Sequence, residues 1–374
     1  MNVAPPRLLA RLDEAITRER NPLQRACLQA ERAGFLARQG QLAAARVVVS
    51  QLKQQFGAQP QAALSAWLAL VEGLIDHYDH LGPSARDRML RAHALSAAPA
   101  LTALHALAAA WLAHLEYVGG DMTSMVRHVR DALAGAGAQD HSARSRVTLV
   151  VAEAYHHAGR VETADPWYAR SRQHAQADGD QAHLSALMHN RAWLRASELR
   201  AQALFGDTGA QAGLAPALLG AESVAHFDTV IGTASLGALL PMLRAQICVL
   251  AGRYTDAGDL FATHFDAAMH QGLAGQRAPL LADWAWCACQ LGQPDAAARD
   301  ADAAEAALGA CELDDRALTQ ARLAQVWAAL GQADRADTLR EHAQRDLAAH
   351  RAAQARLAAL LDDALAGVEV SGAL

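Results

Sequence analysis

Apolar residues recur at helical spacing along almost the whole chain, with glycine and proline as punctuation between the runs. The pattern predicts helices near 5–19, 22–39, 41–56, 60–80, 83–96, 99–118, 121–135 and 141–158. It continues with helices near 161–177, 180–204, 215–227, 230–251, 254–270, 276–291, 294–308, 314–330 and 333–366. Residues 206–216, with Gly206, Asp207, Thr208, Gly209 and Gly213, read as a loop. The last helix would run about 34 residues and about 50 Å, too long for one repeat unit. It must cap the preceding helices, project outward or pair with another chain.

A period underlies these helices. Turn-like glycines stand at Gly40, Gly82, Gly120, Gly159, Gly206, Gly252, Gly292 and Gly331, at intervals of 42, 38, 39, 47, 46, 40 and 39 residues. Alanine lies seven positions before six of them, at Ala33, Ala113, Ala152, Ala245, Ala285 and Ala324. It lies five positions after five of them, at Ala45, Ala164, Ala257, Ala297 and Ala336. With 91 alanines in 374 residues, chance would supply about two at each place. Glycine can end a helix in the left-handed conformation, and small residues on both sides of the turn let the returning helix approach closely. A unit of about 40 residues is then a helix pair that hides its apolar face only by stacking on the next pair. Asp87, Met125 and Gln211 replace the second alanine after Gly82, Gly120 and Gly206, where the pattern is degenerate.

The clearest unit is Val150-Val151-Ala152-Glu153-Ala154-Tyr155, followed by His156 to Gly159, Ala164 and Tyr168. This unit, with those around Gly40, Gly252, Gly292 and Gly331, resembles the tetratricopeptide repeat (TPR) family, and its period near 40 resembles the longer MalT-like class. The resemblance implies an all-α fold, a right-handed α-solenoid of about eight antiparallel helix pairs. Its expected organisation is an N-terminal helical cap over 1–21, a repeat array over 22–345 and a C-terminal extension over 346–374.

Composition narrows the partners. The alanine richness and sparse β-branched residues exclude a sheet-rich fold. The net charge is −6, Lys53 is the one lysine, and no basic stripe appears, which argues against nucleic acid. Five cysteines without a framework, Cys27, Cys248, Cys287, Cys289 and Cys311, read as reduced thiols in a cytoplasm. Met1 to Arg20 holds no apolar targeting core, and the longest uncharged run, Ala92 to Leu115, is interrupted by Ser96, Pro99, Thr102, His105 and His114, so no membrane span is expected.

Catalytic motifs are not visible. With one lysine a phosphate-binding Gly-x-x-x-x-Gly-Lys loop has no place to hide, and neither His-Glu-x-x-His nor Gly-x-Ser-x-Gly occurs. No cofactor or metal is expected; His77 and His80 share a helix face but read as surface or satisfied polar groups. The most suggestive stretch is His189-Asn190-Arg191-Ala192-Trp193-Leu194-Arg195, in which Arg191 and Arg195 share a face. Arginine forks and tryptophan dominate recognition surfaces.

TPR proteins bind along the face formed by the first helix of each pair, and on the preceding first helix that analogy selects Arg146, Glu153 and His156. Asn190, Arg191 and Arg195 would join Arg146 in an anion-receptive patch, unless the arginines pair with acids such as Glu198 or Glu153. The lysine–asparagine carboxylate clamp of chaperone-binding TPRs is disfavoured by one lysine and three asparagines. Trp67, Trp111, Trp284 and Trp327 read as core, with one of Trp284 and Trp286 facing away.

The expected function is a non-catalytic scaffold for a protein or peptide. The alternative is a sensory module that binds a small ligand or signalling peptide and acts on a separate output protein. The C-terminal leucines Leu357, Leu361 and Leu365 could cap and then project, or form a homodimer contact.

Overall fold

The computed structural model describes residues 7–206, 210–232 and 237–368, and among these every regular element is helical. Helix α1 (Arg7–Arg18) precedes four pairs: α2 (Pro22–Arg38) with α3 (Leu42–Phe56), α4 (Ala62–His80) with α5 (Ser84–Leu95), α6 (Thr102–Val118) with α7 (Met122–Gly135), and α8 (His141–His157) with α9 (Val161–Asp178). Four more follow: α10 (Gln181–Phe205) with α11 (Ala210–Ile231), α12 (Leu239–Leu250) with α13 (Tyr254–His270), α14 (Arg277–Gln290) with α15 (Pro294–Ala306), and α16 (Leu313–Ala329) with α17 (Ala333–Ala364). No helix among the described residues is long and apolar enough to cross a membrane.

The chain divides into two compact units. One comprises Met1–Met188, Phe227–Leu236 and Arg356–Leu374; the other comprises His189–His226 and Gly237–Ala355. In the first, α2 packs on both α3 and α4, and α6 on both α7 and α8; in the second, α14 packs on both α15 and α16. First helices therefore stack on first helices, as a repeat array requires.

The periodic alanines are where the packing is tightest. Those before the turns are buried to 3% exposure or less, and those after them to 1% or less. At Gly159, φ is 73° and the next amide, Arg160 N–H, reaches back to the Tyr155 carbonyl at 2.9 Å, closing the helix end.

The turn at Gly82 departs from expectation: Leu81, at φ 52° and ψ 38°, takes the left-handed place. Pro83 follows Gly82 and disfavours helical backbone before it, so the reversal falls one residue earlier. That pair still closes tightly, through Gly73 instead of an alanine. A Cβ on Gly73 would lie 3.0 Å from Met89 Cε and 3.2 Å from the Ala85 carbonyl. After Gly120, fully buried Met125 fills the second alanine's place.

Four further expectations are corrected. The loop placed at 206–216 is shorter, because α11 already begins at Ala210 and carries Pro216 inside it; residues 207–209 lie outside the described set. The break placed near 228–229 lies later: α11 runs to Ile231, Gly232 turns at φ 67°, and α12 starts at Leu239 with Pro241 in its first turn, where a missing N–H costs nothing. Asp228, expected at a helix end, is inside α11 and accepts a hydrogen bond from the Ser185 hydroxyl at 2.5 Å.

Neither Trp284 nor Trp286 faces away. Trp284 stacks on Phe261 at 5.8 Å, and the Arg322 guanidinium covers Trp286 at 5.4 Å. Finally, Leu357, Leu361 and Leu365 neither project nor present a free face. They are 5%, 0% and 7% exposed, in one core with Val126, Val129 and Tyr155. The Tyr155 hydroxyl donates to Asp362 at 3.0 Å and Arg130 Nε to the Ala364 carbonyl at 3.0 Å, so backbone and side chains fasten the end of α17 into the first unit.

Candidate functional site

Helix α8 is the most enclosed of the first unit: every residue from Ser145 to His156 is buried. A helix apolar all round would suit such a place, yet α8 carries Arg146, Glu153 and His156 there. Buried polar groups are expected to find partners. His156 Nδ1 lies 3.2 Å from the Tyr168 hydroxyl, and the Tyr117 hydroxyl donates to the Glu153 carbonyl at 3.4 Å.

Arg146 is different. It is 3% exposed, and its Nε and Nη2 atoms have no hydrogen-bond partner among the described residues. Its guanidinium carbon lies over the Trp111 ring of α6, 3.9 Å from the ring centroid. Stacking satisfies the face of the cation and leaves its N–H edge unused.

Arg146 lines a cavity in the first unit. First helices α2, α4, α6, α8 and α10 converge on it with Phe35 and Arg38, Trp67, Trp111, Arg146, and His183 respectively. Leu8 and Leu12 of α1 also line it and share a core with Phe35. Measured to the centres of water-sized molecules, the space is about 30 Å³, room for about two or three waters.

Apart from Glu31, the other charges around the cavity are paired. Arg38 donates to Asp180 at 2.5 Å across 142 residues of sequence, and both are nearly buried. Asp180 also caps the start of α10, accepting from the His183 N–H at 2.9 Å. Asp178 takes the Ser142 hydroxyl at 2.7 Å and an ion pair from Arg11 of α1.

The histidines nearby are held neutral. Burial, reinforced by the Arg146 charge, lowers His77 to about 4 and pushes His114 and His183 well below the ordinary range. Burial, with Asp178 next in importance, raises the Glu31 carboxyl to about 7. The wall thus sets a buried cation among neutral rings, the paired Asp180 and the raised carboxyl of Glu31, an arrangement suited to receive an acceptor.

The other expected site residues stand in the second unit. His189 lies 6.2 Å from the Trp193 ring, and burial lowers it to about 4. Arg195 donates to Glu198 at 2.8 Å, the structural pairing the sequence left open. Asn190 and Arg191 lie on the same stretch of α10, and the cavity lining includes none of these four. The same unit buries Arg200 and Arg322 against a single aspartate, Asp283, at 3.1 and 2.9 Å.

Arg38, Asp180 and His183 escaped the sequence reading, and Trp67 and Trp111 were read as core alone. The available signal was charge or aromaticity at core positions of consecutive first helices. That signal has no local partner: Arg38 means little until Asp180 is beside it.

No family model matches the chain, and neither does any curated protein. Among solved structures, a Rap protein complexed with competence and sporulation factor is similar over 92% of this chain and 98% of its own, with a TM-score of 0.51 at 12% identity. The likeness is one of fold: a TPR-like α-solenoid built wholly from helix pairs.

Proposed function

We propose that this chain is a non-catalytic scaffold that captures a peptide on the first-helix face of its first unit. The observation that carries the reading is the convergence of five first helices on a cavity whose buried cation, Arg146, keeps two N–H groups unused. A fold that seats such a group at the cost of its desolvation does so for a ligand that supplies the acceptor. The wall also offers rigid aromatic surface at Trp67 and Trp111, which binds without loss of much side-chain entropy.

The likeness to a Rap protein complexed with competence and sporulation factor supports a regulatory version of the same role, in which a signalling peptide is sensed and a separate protein gives the output. The period near 40 keeps the chain, in our reading, with the MalT-like subclass. A contact at Asn190, Arg191 and Arg195 remains part of the proposal, as a separate partner surface on the second unit.

Hydrogen exchange of the full chain, with and without a pool of random pentapeptides, tests the reading. Slowed exchange confined to α2, α4, α6 and α8 is the expected result. Unchanged exchange there, or protection only on α3, α5 and α7, would sink it.

A further inference from the structure

The unused atoms of Arg146 are Nε and Nη2, which together form one edge of the guanidinium fork. Two parallel N–H bonds along that edge match the two oxygens of a carboxylate. The protein shows the same geometry elsewhere: Arg316 grips Asp346 with Nε to Oδ2 at 2.7 Å and Nη2 to Oδ1 at 3.2 Å. Arg146 has the fork without the acid. No carboxylate among the described residues stands within ion-pair distance of it; of the two acids lining its cavity, Asp180 is held by Arg38 and the His183 N–H, and burial raises the Glu31 carboxyl to about 7, favouring its neutral form.

Size decides between anions. A space for about two or three waters admits a carboxylate of three heavy atoms, whereas a tetrahedral phosphate has five and calls for more donors than one edge supplies. Trp111 covers one face of the cation, and Phe35, Leu70, Leu74 and Leu107 exclude water around it, so the pair would be strengthened by low dielectric.

We infer that the cavity is a carboxylate-binding site in which the Nε–Nη2 edge of Arg146, stacked on Trp111, receives both oxygens of a ligand's carboxyl group. This rests on the peptide-scaffold reading and sharpens it: the carboxyl group is the free C-terminus of the captured peptide. The C-terminal carboxyl is the one carboxylate that every captured peptide carries, whatever its sequence.

The test uses the full-length chain and three probes at matched ionic strength: formate, inorganic phosphate, and acetyl-trialanine with either a free or an amidated C-terminus. Formate should raise the melting temperature above that in chloride, and acetyl-trialanine acid should bind at least tenfold more tightly than its amide. Both effects should vanish in Arg146→Gln. Arg146→Lys keeps the buried charge but lacks the fork, so it should lose them too, and it controls for any refolding caused by removing the charge.

Formate stabilisation without preference for the acid peptide would place a small free carboxylate in the site and overturn the C-terminus assignment. Equal effects in wild type and Arg146→Gln, or phosphate acting more strongly than formate, would overturn the carboxylate site. Slowed exchange on the first helices with amidated pentapeptides, undiminished in Arg146→Gln, would leave the scaffold reading standing alone.

Discussion

The Arg146 guanidinium lies 3.9 Å from the centre of the Trp111 ring, one helix of a pair reaching across to the first helix of the pair before it. That contact joins a cation that the fold does not neutralise to a surface that orients it. Such a residue is expensive in stability and informative about function.

Removing that charge should therefore not weaken the fold. Arg146→Met keeps the apolar stem on Trp111 and eliminates the two unpartnered N–H atoms. Urea denaturation should show equal or greater stability, by about 1–3 kcal/mol. A clear loss would make Arg146 a structural residue.

Acidification should destabilise the protein. His77, His93, His174 and His189 have folded-state values near 4. An unfolded chain takes up those protons near 6.5, so it binds more protons than the native state between about 6.5 and 4, and stability falls as pH drops through that window. Glu31, raised to about 7, and Asp315, raised to about 6, work in the opposite direction, because their native forms hold protons that the unfolded chain releases. Four groups against two leave a net loss, at most about 1.4 kcal/mol per pH unit for each excess proton. Urea midpoints from pH 7 to pH 4.5 would show it, and a flat series would contradict it.

The alanine period should resist enlargement. Ala152 is fully buried where α8 meets its neighbours, and Ala152→Leu should cost about 1–3 kcal/mol by overpacking. Exposed Ala348 on α17 provides the control, and Ala348→Leu should leave the chemical denaturation midpoint where it was.

The end of α17 should behave as core. Leu361→Ala removes a side chain with no exposed area and should cost about 2–5 kcal/mol. Sedimentation should show no change in mass for this variant. A change in mass with little loss of stability would instead identify the leucine face as a subunit contact.

Charge reversal on α10 separates structure from recognition. The Arg195–Glu198 pair is nearly half exposed and is worth less than about 1 kcal/mol. Arg191→Glu with Arg195→Glu should shift melting by no more than a degree or two while abolishing binding of a partner protein to the second unit. Retained binding by that variant removes the segment from the proposed surface.

How far the sequence reaches can be seen by comparing Ala152 with Arg38. Ala152 announces itself through its distance from Gly159, because a helix hairpin is closed by residues a few turns apart and its geometry repeats. The seventeen α-helices among the described residues, their glycine turns and the burial of the periodic alanines follow largely from such local spacing. Where a local signal was missing or competed, as at Leu81 before Pro83 or across Gly232, the boundary moved by a few residues.

Arg38 has no such signature, since its partner Asp180 stands 142 positions away. Which first-helix side chains face one cavity depends on the rotation gathered over several stacked pairs, and small differences in each pair decide it. The same holds for the leucines of α17, whose spacing shows an apolar face but not the core of α7 and α8 that buries it. Helix pairing was thus determined by the sequence at short range. The enclosed Arg146 and the destination of the last helix were decided by tertiary structure, because only packing over long separations determines which charges are answered and which are left open.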